Sequence, residues 1–112
     1  MLFILFGGVM KAASQETDWP FDDPKNVATV TVRQIIREGQ PILLVSHDAD
    51  DGSWQFLTGG RFFTGDAMLV ALHEIVQHDP SVRELADLPL GWVATRDSAG
   101  SSWRRSPDED TK

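Results

Sequence analysis

The sequence predicts a single α+β domain: a mainly antiparallel sheet of four to five strands with two or three short helices. Three observations predict it. The chain has 112 residues and no cysteine, a length that suits one domain and one core without disulfide staples. Short runs of β-branched and aromatic residues recur between turn residues, the pattern of strands. The pair Asp79-Pro80 is a helix start, an acidic cap followed by a proline at the first helical position.

The elements follow in order. Residues 27–32 are β-branched at nearly every position and read as a strand. Residues 34–38 read as a short helix with Ile35 and Ile36 turned inward, stopped by Gly39. Pro41 opens the next strand, where a missing N–H is tolerated, and 42–46 is a continuous apolar run. Residues 54–57, Trp-Gln-Phe-Leu, are its partner in a hairpin. Asp51-Gly52 in the intervening turn supplies the positive φ such a loop needs. Alternation places Trp54 and Phe56 on one face and Gln55 and Leu57 on the other.

Beyond the hairpin, Gly59, Gly60 and Gly65 bracket Arg61-Phe62-Phe63, a flexible loop with two aromatics prone to exposure. Met68, Leu69, Leu72, Ile75 and Val76 then recur with a helical period, and Asp66 is placed to cap such a helix. A competing reading makes 67–71 a strand and begins the helix at Leu72. From Asp79-Pro80 a helix buries Val82, Leu85 and Ala86 and ends at Pro89. Residues 91–95 read as the last long strand, and Trp103 opens a short return strand. The domain is therefore expected over 27–105. A charged disordered tail is expected over 106–112, and an N-terminal tail over 1–26 that Trp19 and Phe21 pin to the domain.

Residues 1–10 are apolar but too short to span a bilayer, which needs ~20 residues. The run lacks the positive charge that normally precedes a secretory signal, although Ala12-Ala13-Ser14 supplies small residues. A start at Met10 and a frayed apolar tail are the preferred readings, with a cytoplasmic location.

Net charge is −7, which disfavours nucleic acid and anionic membranes and favours a basic protein partner. No catalytic or metal-binding set is expected, and no cofactor. His73-Glu74 with His78 does not match the zinc-protease motif, because position 77 is Gln and the two histidines are five apart. Asp48, Asp50, Asp51 and Gly52 resemble a calcium loop, but glycine comes fifth and position 59 is Gly. No nucleophile elbow accompanies Ser46, His47 and Asp48, and Gly59-Gly60 lacks the lysine of a phosphate loop. The candidate partner-binding residues are Asp48, Asp50 and Asp51 at the hairpin tip and Arg61, Phe62 and Phe63 in the following loop. Two alternatives stand beside this reading. One is a ligand-binding domain or small enzyme with a pocket near Phe62, Asp66 and His73, with His47 as a further candidate. The other is a self-associating structural domain.

Several segments together resemble a known family: Asp51-Gly52-Ser53-Trp54-Gln55-Phe56, His78-Asp79-Pro80-Ser81-Val82, Leu88-Pro89-Leu90-Gly91-Trp92, Arg96 and Trp103. The pattern is similar to a group of small bacterial domains of unknown function allied to the immunity proteins of polymorphic-toxin systems. The resemblance implies an antiparallel sheet flanked by short helices, a strand over 67–71, no cofactor and a toxin domain as the basic partner. Gly52-Ser53-Trp54 departs from the family's simple Gly-Trp, and the 59–65 loop is short; both lie where a partner-reading surface varies.

Overall fold

A computed structural model describes residues 18–108. The expectations for residues 1–17 and 109–112 (the start at Met10, the signal segment, the end of the charged tail) lie outside the described residues. The domain is α+β, with a mixed, mainly antiparallel sheet and a few short helices. Its strands are β1 (Ala28–Val32), β2 (Leu44–His47), β3 (Trp54–Leu57), β4 (Ala67–Ala71), β5 (Trp92–Thr95) and β6 (Arg104–Pro107), in the spatial order β4-β1-β3-β2-β5-β6. Helix α1 (Arg33–Ile36) follows β1, and α2 (Leu72–His78) follows β4. Two 3-10 turns, Thr64–Asp66 and Pro80–Leu85, complete the set.

The hairpin of β2 and β3 is the centre of the sheet. Its register pairs Val45 with Phe56 and His47 with Trp54, so the buried Trp54 and Phe56 share one face with Val45. β5 extends that face on the other side of β2, where Ala94 pairs with Val45. β1 joins β3 in the one parallel pairing, and the Thr31 hydroxyl donates to the Phe56 carbonyl across it at 2.8 Å. That bond satisfies a threonine buried to 0% exposure, which would otherwise cost about 1–3 kcal/mol.

The helices cover the Phe56 face. Leu72 and Ile75 of α2 are buried three apart while Glu74 and Gln77 are exposed, the spacing of one helix face. Val82 and Leu85 of the second 3-10 turn, Ile35 of α1, Ile42 and Leu88 close the same core. Phe21 belongs to it as well, at 5% exposure. Its ring meets Trp54 edge to face at 5.4 Å, so the approach segment is part of the domain and not an appended tail.

Four sequence expectations are refined. The 67–71 segment is a strand, and the helical period of Met68, Leu69 and Leu72 breaks at Ala71 because β1 captures the backbone from Ala67 to Ala71. Asp66 caps the turn before β4, accepting from the Phe63 N–H at 3.0 Å, and does not cap α2. The helix begun at Asp79-Pro80 is of the 3-10 type, with the Asp79 carboxylate accepting from the Ser81 N–H at 3.1 Å. The return strand reaches Pro107, pairing Ser106 with Val93 and Pro107 with Trp92. Residues 106 and 107 are therefore sheet and not disordered tail, held by the ladder despite their polar composition.

Candidate functional site

Strand directions sort the candidate residues into two ends. β2 runs into the hairpin tip and β3 runs away from it. The tip, the entry to β1 and the turn before β5 therefore share one end, while the 58–66 loop lies at the other. Asp48, Asp50 and Asp51 are consequently separated from Arg61, Phe62 and Phe63 by the length of β3, roughly 13 Å for four residues at ~3.3 Å each. The six candidates form two surfaces, not one.

At the tip, the three acids have different jobs. Asp48 turns back toward the sheet and accepts from Ser46 Oγ at 3.1 Å, Ser53 Oγ at 3.3 Å and Gln55 Nε2 at 2.8 Å. It braces the hairpin, together with the Asp48 N–H to Ser53 carbonyl bond at 2.8 Å. Asp51 accepts from the Ser53 N–H at 3.0 Å, a contact that holds its carboxyl below the usual carboxylate range. Asp50 and Asp51 are exposed. Gly52 takes φ +76° between them and Ser53, the left-handed conformation that Asp-Gly anticipates.

The sequence reasoning missed the neighbour of this tip. Leu90 is 57% exposed, and its Cδ2 lies 4.0 Å from the position a Cβ on Gly52 would take. Gly91 packs under Ala49, and its N–H donates to the His47 carbonyl at 2.7 Å. The Pro-Leu-Gly turn thus presents an apolar knob beside two exposed carboxylates. The signal was the motif itself: Pro-Leu-Gly marks a turn, and turns run over the surface.

His47 is structural. Its ring stacks on Trp54 at 3.9 Å, and Nδ1 donates to the Leu88 carbonyl at 2.7 Å, tying the tip to the 88–91 turn. Trp54 Nε1 donates to Asp23 at 2.9 Å. The same end carries Asp22, Asp23, Asp50, Asp51 and Asp108 along with Lys25, the only lysine among the described residues. The far end carries Arg33, Arg37, Arg61 and Arg104 with Glu38, Asp66 and Asp97. Charge is therefore polarised along the strands.

At the far end, Asp66 is 7% exposed and accepts from Arg33 Nε at 2.9 Å, Gln34 Nε2 at 2.9 Å and the Phe63 N–H at 3.0 Å. The Gln34 amide, the Phe63 N–H and Arg33, in that order, hold its carboxyl below the ordinary range. Because the folded value lies below the unfolded ~3.9, the stabilisation is complete above that pH and fades as pH falls through the folded value. Asp66→Asn is accordingly expected to lower the melting temperature at neutral pH, with the gap to the parent closing in acid. Thermal melts from pH 7 downward check this; a gap independent of pH would contradict it.

Asp66 and Phe62 are not brought to His73, which lies beyond the other end of β4. Two clefts are pronounced among the described residues, and neither is lined by Phe62, Phe63 or Asp66. One, of about 240 Å³, lies between Trp19, Lys25, His73 and Arg83; the other, of about 290 Å³, lies between Gln40, Pro41, His78 and Asp79. Among the described residues no three His, Asp or Glu side chains gather as a metal set. No helix among them is long and apolar enough to cross a membrane.

Comparison with family models, with curated proteins and with solved structures returned no match. The likeness to immunity-type domains rests on the motif pattern alone.

Proposed function

We propose that the protein is a non-enzymatic binding module whose hairpin-tip end takes a basic protein surface. One observation carries this reading: exposed Leu90 stands beside the exposed carboxylates of Asp50 and Asp51. An apolar side chain ringed by like charge is the anatomy of a small interface, a desolvated centre with a polar rim. The surrounding Asp22, Asp23 and Asp108 add a field that steers a cationic partner in. Such a field raises the association rate and its salt sensitivity more than the final affinity. The proposal extends to an immunity-protein-like role in which the basic partner is a toxin domain.

The test is capture from the native host on immobilised protein, followed by association kinetics with the recovered partner. Asp50→Lys with Asp51→Lys is expected to slow association at least tenfold at low salt. Leu90→Ala is expected to speed dissociation, and Glu74→Lys, an exposed reversal on α2, to leave both rates within about twofold, as for a charge outside the interface. Equal effects of the tip and α2 reversals would count against a site at the tip.

A further inference from the structure

We infer that β4 is a pairing edge for a second copy of this chain, joining two sheets into one through an antiparallel β4–β4 contact. The inference is independent of the hairpin-tip reading and concerns the opposite flank of the sheet.

The two edges of the sheet are β4 and β6, and they are built differently. β6 reads Arg-Arg-Ser-Pro, with charge and proline, the devices that blunt an edge against pairing. β4 reads Ala-Met-Leu-Val-Ala and has none of them. Among the described residues four large apolar side chains are exposed, and three of them, Phe62, Phe63 and Leu69, lie on β4 or just before it. Leu69 is 74% and Phe63 75% exposed.

The backbone gives the stronger argument. The Leu72 N–H donates to the Val27 carbonyl at 2.9 Å, which sets the phase of the β1–β4 ladder. Alternation then directs Val70 and Met68 toward β1, while Ala67, Leu69 and Ala71 present their polar groups to the free edge. Two of those groups are already used. The Ala67 N–H donates to the Thr64 carbonyl, and the Ala71 carbonyl, at the N-cap of α2, accepts the first helical bond. Among the described residues, what remains unpaired at the edge is the Leu69 N–H and carbonyl, the Ala71 N–H and the Ala67 carbonyl.

That remainder is self-complementary. With a two-fold axis at Leu69, each Leu69 exchanges both bonds with its mate, and each Ala71 N–H meets an Ala67 carbonyl. Every free group is matched and neither used group is needed. An arbitrary extended peptide has no reason to carry this set in this order, whereas a second copy carries it by symmetry.

Charge agrees with the arrangement. A net charge of −7 per chain opposes association, but the interval from Ala67 to Leu72 holds no charge. Antiparallel docking also sets the arginine end of one copy, with Arg33 and Arg61, beside the acidic end of the other. Phe62, Phe63 and Leu69 lose water in the same step.

Sedimentation equilibrium of the full chain tests the inference over a range of concentrations. The parent is expected to show the mass of two chains and Leu69→Lys the mass of one, with an unchanged far-ultraviolet spectrum. Leu69→Pro removes only an outward-facing N–H, leaves the β1 ladder intact and is expected to behave like Leu69→Lys. Val93→Lys, on the interior strand β5, is expected to keep the pair. A monomeric parent, or a dimer that survives either Leu69 change in folded protein, overturns the inference.

Discussion

Replacing Arg96 with alanine is expected to cost about 3–5 kcal/mol, the penalty of breaking one side of a buried charge pair. Arg96 is 4% exposed. Its Nη2 donates to the Asp79 carboxylate at 2.7 Å, Nη1 to Ser81 Oγ at 2.8 Å and Nε to the Ile42 carbonyl at 3.0 Å. The guanidinium lies 4.0 Å from the Trp103 ring centroid, a stack that adds a cation–π attraction. One side chain therefore ties the start of the 80–85 turn, the chain entering β2 and the return toward β6. Removing it takes the donor from the Ile42 carbonyl and the charged partner from the Asp79 carboxylate, which keeps only the Ser81 N–H and hydroxyl. A loss of that size consumes much of the ~5–15 kcal/mol that holds a domain folded. Arg96→Lys keeps the charge but not the fork, so it is expected to recover less than half. Urea unfolding followed by tryptophan emission measures both. A shift below about 1 kcal/mol for Arg96→Ala, the worth of an exposed pair, would show that the cluster does not hold the domain.

Trp54→Ala is expected to cost a comparable ~3–5 kcal/mol, the range for deleting a large buried aromatic. Trp54 is 3% exposed. Its ring stacks on His47 at 3.9 Å, meets Phe21 edge to face at 5.4 Å and lies parallel to Phe56 at 6.1 Å. The vacancy would loosen the approach segment from the sheet, since Phe21 and Asp23 both reach Trp54. Trp54→Phe separates packing from polarity. It keeps most of the ring volume and deletes the bond to the Asp23 carboxylate, so about 1.5–3 kcal/mol is expected, the worth of a hydrogen bond to a charged group. Chemical denaturation compares the two, and limited proteolysis reads release of the approach segment directly. A Trp54→Ala variant as stable as the parent would remove Trp54 from the core role.

The exposed ion pairs are expected to matter far less. Arg104 and Asp97 meet at 3.1 Å with side chains 61% and 81% exposed, where solvent and side-chain entropy offset the attraction. The contrast with Arg96 is one of burial and of partner number: a buried fork with three acceptors against a single exposed contact. The exposed pair is 7 residues apart and the buried one 17, so nearness in sequence is no guide to energetic weight.

The central hairpin was legible because both of its signals are local. Asp51-Gly52 sets a turn by its own dihedral preference, and the alternation of Trp54, Gln55, Phe56 and Leu57 assigns faces without reference to the rest of the chain. The start at Asp79-Pro80 was legible for the same reason. The state of 67–71 was not, because its apolar spacing fits a helix and only pairing with β1 makes it a strand. The candidate site was half legible. Composition pointed to the acidic tip, but Asp48 is spent on Ser46, Ser53 and Gln55, and Leu90 joins the tip only through a turn some forty residues later. That Arg61, Phe62 and Phe63 lie apart from the tip was not legible, because strand direction carries them to the other end of β3.

By itself the sequence determined the α+β class, the hairpin and its turn, the capped start at Asp79-Pro80 and the acidic balance of the chain. These depend on φ preferences, period and charge, which each residue carries wherever it stands. Tertiary structure alone decided the parallel β1–β3 pairing, the split of the candidate residues between two ends, the burial of Arg96 and the place of β4 at the edge of the sheet. Each of those requires distant segments to meet, and whether they meet depends on the packing free energy of the whole core rather than on the propensity of any stretch.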